Sequence, residues 1–362
     1  MPPKVINWWK VDFDESDIAS VATAIQSKCI SMGQITEKLE QDLAAKLDVP
    51  YVIACSSGSA ALLMTLIALE IREGDEVILP DRTWIACLNA LAILGATPIL
   101  IDVKKNIPTM DLTNIEKKIT KKTKAIIPSP LNGRKEDMDR IWQIARENDL
   151  FVVEDAAQAL FSMNNGAFIG TQSRFSIFSL GIAKLITSGQ GGFITVRRHE
   201  DYEKLKLIRN NGVHNLPGKN PYKCMGLNFK ITDFQSALAL NSLKKLTQKK
   251  SNLLDVYKTY EKGLENIKGI SLIPVNTDEG ELPLYIEALS EKRLELITEL
   301  DLNNIEAKIF IDSLHTSPVI KSTGLFPNSD TFEKKGLVLP CGPDQALFDI
   351  ERVIQIINHM NN

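Results

Sequence analysis

From Tyr51 to Val196, short apolar runs alternate with longer amphipathic stretches, and this alternation constrains the fold more than any other feature of the chain. Val77–Pro80, Thr97–Asp102, Ala125–Ser129 and Leu150–Asp155 are rich in β-branched residues and closed by proline or acidic residues, as strands buried on both faces are. Between them, Ser59–Glu70, Trp84–Leu94 and Asp137–Asn148 read as helices. Strand and helix in alternation predict an α/β fold, a mostly parallel sheet covered by helices on both faces. Ligands of such sheets bind beyond the carboxyl ends of the strands, so the residues that follow each strand are the first candidates for a site.

Past about Asn210 the pattern changes. Gly212–Met225 is loop-like, and Thr232 to about Ile267 reads as one or more long helices rich in leucine and lysine. Strand signals at Ile270–Pro274, Leu282–Leu289 and Ala307–Ile311, with helices at Ser290–Asn303 and Asp344–Met360, predict a smaller α+β domain. The expected division is a large domain over 1–240 and a small one over 241–362, with the first ~15 residues packing on the small one. A chain of 362 residues, 44% hydrophobic, can bury cores of that size.

A formal charge of −3 points away from nucleic acid and membrane surfaces as partners. The lysines at 104, 105, 117, 118, 121, 122 and 124 are interleaved with Asp111, Glu116 and apolar residues, which reads as a solvated face. Five cysteines, an odd number without C-x-x-C spacing, fit reduced thiols rather than a disulfide framework or a zinc site. No apolar run approaches the ~20 residues of a membrane helix, and the N-terminus lacks a signal-like stretch. The expectation is a soluble, cytoplasmic protein without a metal.

Three segments carry chemistry. In Cys55–Leu62 a strand runs into small hydroxyl residues and a glycine before a helix begins. Helix N-termini offer free N–H groups and partial positive charge, and small residues such as Gly58 and Ser59 let a phosphate approach; taken alone, the segment reads first as a plain N-cap on a core helix. Asp155 ends an apolar strand, where a lone carboxylate is costly unless it meets a cation, a metal or a helix terminus. Lys184 is the single charge in the stretch Phe178–Gly192, and a lysine shielded from water has a lowered pKa and serves as nucleophile and base.

In order and content, these segments resemble the sugar aminotransferases of the DegT/DnrJ/EryC1/StrS family. The resemblance runs from about Ser31-Met32-Gly33 to Leu339-Pro340. It is most specific in Ser56–Leu62 with Gly74–Val77, in Glu154–Gln158, in Phe178–Gly192 and in Gly226–Asp233. It implies the fold type I architecture of pyridoxal-phosphate enzymes: a three-layer α/β/α large domain and a smaller C-terminal α+β domain. It also implies pyridoxal 5'-phosphate as cofactor. By position, Lys184 corresponds to the Schiff-base lysine, Asp155 to the partner of the pyridine nitrogen, and Ser179 with Gly58 and Ser59 to the phosphate cradle. Gln158 corresponds to a contact with the ring hydroxyl region. Trp84 matches the aromatic that stacks on the pyridine ring, a flat neighbour for a flat cofactor. Asn228 would reach the phosphate of a neighbouring subunit, which implies a homodimer with shared active sites. His315 resembles a position at the mouth of the site; His214 is a further candidate for the pocket wall.

The implied reaction moves an amino group from an amino acid, L-glutamate by resemblance, to a keto-sugar, with a nucleotide-linked 4-keto-deoxysugar as the expected acceptor. Its setting would be amino-sugar and surface-glycan biosynthesis. Unactivated sugar acids and cyclitols are alternative acceptors. Sugar dehydratases of the same family carry histidine in place of the lysine, so Lys184 argues against that chemistry. Two departures bear on the substrate. Gly181-Ile182-Ala183 stands where many members have His-Pro or Tyr-Pro and a threonine or asparagine, and Pro128–Gly133 lacks a histidine often found there.

Overall fold

The computed structural model describes residues 5–213, 222–320 and 324–361; His214 lies outside the described residues. Seven strands form the central sheet: β1 (Tyr51–Cys55), β2 (Glu76–Pro80), β3 (Thr97–Ile101), β4 (Thr123–Ile126), β5 (Phe151–Asp155), β8 (Phe175–Ser179) and β9 (Gly192–Val196). A small antiparallel ribbon of β6 (Met163–Asn164) and β7 (Ala167–Phe168) lies between β5 and β8 in the chain. The sheet order is β1-β9-β8-β5-β4-β2-β3, and β9 alone runs against the rest.

Side chains of a strand alternate between the two faces of its sheet, and here both faces are buried. In β2, Val77 and Leu79 pack with α3 (Gly58–Ala68) and α4 (Ala86–Leu94). Ile78 packs on the other face with Ile141 and Ile144 of α5 (Met138–Glu147). In β1 and β9, Ile53 and Ile194 join the first cluster, while Val52 and Phe193 join a third with Leu39 and Leu43 of α2 (Gln34–Leu47). The result is three layers, α/β/α, with apolar surface removed from water on both sides of the sheet at roughly 25 cal/mol per Å².

After α6 (His199–Arg209), α7 (Asp233–Lys244) and α8 (Leu246–Leu264), the chain builds a second, antiparallel sheet. Its order is β10 (Ile270–Leu272), β11 (Ile286–Ser290), β13 (Gly336–Leu339), β12 (Lys308–Ile309). The helices α9 (Arg293–Leu302), α10 (Pro327–Lys335) and α11 (Leu347–Asn361) accompany it. The N-terminal segment bridges to this part: Ile6 pairs with Ile305 and Trp9 with Cys341. The helix α1 (Glu15–Gln26) then returns to α7, where the buried Asp17 carboxylate accepts from Asn241 at 2.8 Å and Lys245 at 2.6 Å.

Several strands are shorter than the sequence predicts, β10 and β12 among them, and for β4 and β11 the reasons are identifiable. β4 ends at Ile126: Ile127 N still donates to Ile78 O at 2.8 Å, but Pro128 and Pro130 have no N–H to continue a ladder. β11 begins at Ile286 rather than Leu282, because the preceding backbone is bonded to side chains that flank β5 in the chain. Leu282 N donates to Ser162 Oγ at 2.9 Å, and Tyr285 N to Asn132 Oδ1 at 2.6 Å. Gly133, at φ +75°, makes that approach feasible, since a Cβ there would sit 2.1 Å from Leu282 O. Among the described residues no helix is long and apolar enough to cross a membrane.

Candidate active site

The parallel strands bring their carboxyl ends to one edge of the sheet, and β9, running the other way, starts there. Gly192 pairs with Cys55 on one side and Ser179 on the other. A Cβ on Gly192 would lie 2.5 Å from Gly58 N and from the Ser57 carbonyl carbon, so only glycine lets these segments close up. A Cβ on Gly58 would in turn meet Ser179 Cβ at 3.2 Å. Ser57 caps α3 by accepting from Ala60 N at 3.0 Å. Gly58 and Ser59, the first residues of the helix, keep amides with no carbonyl one turn back. Ser59 is exposed, and Ser179 Oγ accepts from Gly181 N at 3.2 Å.

Asp155 ends β5 with 8% of its surface exposed. Burial pushes its carboxyl above the usual range; the Cys87 thiol, the Ala157 amide and the charge of Lys184 pull the other way. Cys87 Sγ donates to Asp155 Oδ2 at 3.2 Å, and Ala157 N to Oδ1 at 3.3 Å. Burial in turn pulls the Lys184 ammonium down to about 8, against the attraction of Asp155. Lys184 Nζ donates to the Tyr285 hydroxyl at 3.2 Å, and that hydroxyl donates to Ala183 O at 2.9 Å. One cavity is lined by Ser179, Lys184 and Gln158 together with Ala157, Leu282 and Leu284. Gln158 Oε1 is already taken, accepting from Asn132 N at 3.0 Å.

Trp84 lies on the turn after β2 with 56% of its surface exposed, just beyond Thr83, which donates to Ser129 Oγ at 2.9 Å. His315 is tied to the start of that turn. Its N donates to Asp81 Oδ1 at 2.8 Å, its Nδ1 is 2.7 Å from Oδ2, and its Nε2 is 3.3 Å from Asp330. It stacks on Phe326 with ring centroids 4.8 Å apart. Asn228 is exposed, next to Phe229, whose carbonyl accepts from Ser56 N at 2.8 Å.

Sequence reasoning missed Tyr285, Cys87 and Asn132. Tyr285 sat inside an apolar run read only as a strand; its one signal was a phenol in a buried stretch. Cys87 carried only the observation that it is unpaired. Asn132, at φ +55°, lay in a segment noted for lacking a histidine.

The donor set suits a planar, phosphorylated, cationic ring. Free amides and hydroxyls stand at the start of α3, a buried carboxylate feels the charge of Lys184, and that lysine, its pKa lowered by burial, lines a cavity with Ser179. This combination defines a pyridoxal-phosphate-dependent aminotransferase of fold type I. Residues 11–358 match the DegT/DnrJ/EryC1/StrS aminotransferase family, and the chain belongs to it. GDP-perosamine synthase of Caulobacter vibrioides is 31% identical, over 91% of this chain and 91% of its own. S. venezuelae DesV, solved in complex with a ketimine intermediate, is 30% identical with a TM-score of 0.90, over 96% and 94% of the two chains. The PLP-form of Spr1654 from Streptococcus pneumoniae is 25% identical with a TM-score of 0.90, over 99% of each chain.

Proposed function

We propose that this enzyme transfers the amino group of L-glutamate to a keto-sugar, with a nucleotide-linked 4-keto-deoxysugar as acceptor, and that its product enters surface-glycan biosynthesis. The observation that supports it most is the juxtaposition of Lys184 and Asp155 at one strand edge in a chain related to GDP-perosamine synthase. Residues 1–240 are the large cofactor-binding domain in this reading, and 241–362 the small one.

Lys184 Nζ would be the covalent attachment point of the cofactor. Gly58, Ser59 and Ser179 hold its phosphate through N–H and O–H donors at the α3 N-terminus. Asp155 would hold a proton on the ring nitrogen, Trp84 would offer a flat neighbour to the ring and Gln158 would serve its hydroxyl side. Bound there, the cofactor supplies an electron-withdrawing ring that accepts the electron pair left when a substrate Cα–H bond breaks. When not bonded to the cofactor, the Lys184 amine, whose pKa burial lowers, would be suited to take the amino donor's α-proton and return it as acid. His315 stands at the mouth, oriented by Asp81.

Asn228 is assigned to the partner subunit's phosphate site in a homodimer. Tyr222 and Leu227, 73% and 53% exposed on the same stretch, are the apolar surface such an interface would cover.

The test follows the visible absorption of the loaded protein. L-glutamate should bleach the band of the lysine-bound cofactor, and a nucleotide-linked 4-keto-deoxysugar should restore it while gaining an amino group detectable by mass spectrometry. The Lys184→Ala variant should show neither change. Restoration by a free sugar acid or cyclitol alone, or loss of a sugar hydroxyl without amino transfer, would overturn the assignment.

A further inference from the structure

Two side chains from outside the β5–β8 edge converge on the backbone just ahead of Lys184. Trp9 Nε1 donates to Ile182 O at 3.1 Å, and the Tyr285 hydroxyl donates to Ala183 O at 2.9 Å. The consecutive carbonyls of Ile182 and Ala183 are thus each held by an aromatic donor, one from the N-terminal segment and one from the approach to β11. The two rings pack edge to face with centroids 5.6 Å apart, and Trp8 flanks Tyr285 at 6.2 Å. The Tyr285 backbone is gripped on both sides by Asn132, which accepts from its N at 2.6 Å and donates to its O at 2.9 Å. Asn132 also donates to Glu287, the buried partner of Arg134 at 2.5 Å. The phenol therefore has little freedom to move away from Lys184.

Its chemistry toward the lysine is equally constrained. A tyrosine hydroxyl has one proton, and here that proton is committed to Ala183 O. Burial, with Cys341 and Glu287 nearby, keeps the phenol un-ionised. Toward Lys184 Nζ, 3.2 Å away, it presents only a lone pair. The charge acting on the lysine is that of Asp155.

We propose that Tyr285 is a positioning residue for Lys184: its hydroxyl is the acceptor on which the lysine amine rests whenever it is not joined to cofactor or substrate. An acceptor favours the ammonium over the free amine, so Tyr285 opposes the effect of burial and keeps the released lysine pointing into the cleft. This rests on the reading of Lys184 given above. It also gives Gly181-Ile182-Ala183 a device of its own for ordering the lysine, since these residues have no side chain that does so.

The test uses the apo-protein, so it does not depend on which reaction is catalysed. Wild type, Tyr285→Phe and a variant with 4-aminophenylalanine at 285 are acetylated with acetic anhydride across about pH 6–10, and Lys184 labelling is quantified by mass spectrometry against the exposed Lys105. The aniline still donates to Ala183 O but is a poor acceptor, so it keeps the loop bond and removes only the rest position. In both variants the Lys184 midpoint should fall by about half to one unit, making it about three- to fivefold more reactive at pH 7, with Lys105 unchanged. Coincident midpoints in all three proteins, whatever happens to turnover, would show that Tyr285 only packs. If the phenylalanine variant does not fold, the aminophenylalanine protein decides. Failure of the Lys184→Ala protein to lose covalent cofactor would instead sink the underlying reading.

Discussion

At the scale of single residues, Lys184 and Asp155 illustrate how burial sets chemistry. Each is displaced toward its neutral form by loss of water, and each partly offsets the other. Attachment of cofactor requires the neutral amine, so the initial rate of covalent capture should rise with pH, pass its midpoint near 8 and level off above it. Stopped-flow absorbance on the apo-protein reads this directly; a flat profile between pH 6 and 10 would contradict it. Asp155→Asn separates stability from catalysis. It removes a desolvated carboxylate and keeps its shape, while the Lys184 that loses its counter-charge can shed its proton, so the urea midpoint should move little. Turnover should fall by about 10²–10³-fold, because the counter-charge to the ring is gone.

Among elements, the critical contact is the one that β9 makes with the turn before α3. Gly192→Ala would drive a Cβ into the Ser57–Gly58 backbone, which has no rotamer with which to yield. The variant should lose about 1–3 kcal/mol in urea unfolding, together with roughly tenfold in cofactor affinity as the phosphate-facing amides shift. Ser57→Ala should act more mildly, costing about 1 kcal/mol for the lost cap of α3. The buried pair Arg134–Glu287 joins the 131–134 turn to β11 and so supports Tyr285 from behind. Arg134→Ala leaves Glu287 without a counter-charge and should cost about 3–5 kcal/mol, visible as a lowered urea midpoint.

The whole molecule is held together across the strand edge by long-range side chains. Arg82, fully buried beyond β2, donates to Ser313 Oγ at 2.8 Å, to Ile311 O and to Ser329 O, and stacks over Phe310 at 4.6 Å. Asp102, beyond β3, accepts from the amides of Asn328 and Ser329 at the start of α10. Both carry the segment with His315 toward the Trp84 turn. In the proposed homodimer, with Asn228 serving the partner's site, inactive protomers should complement one another. Mixing Lys184→Ala with an Asn228→Asp protein gives heterodimers with one doubly altered site and one intact site, and random exchange should restore about a quarter of wild-type activity. No recovery after verified subunit exchange would show that each protomer builds its site alone.

What the sequence determined by itself is local in origin. Strand-helix alternation identified the parallel part of the sheet, and Gly58, Ser59 and Asp155 drew attention because parallel strands must deliver their carboxyl ends to one edge. Lys184 stood out as a lone charge in an apolar stretch, whereas Ser179 and Gln158 were legible only through the family resemblance, Phe175–Ser179 not reading as a strand in the sequence. The antiparallel course of β9 was not legible, because a fully buried strand shows the same apolar run in either direction. The partners of the site residues were not legible either. Cys87 lies 68 residues from Asp155, Tyr285 101 from Lys184, and Trp9 173 from Ile182. Periodicity records which face of an element is buried, but not which distant element comes to cover it. Only packing of the N-terminal segment and the β11 approach against the sheet edge decided what holds the lysine.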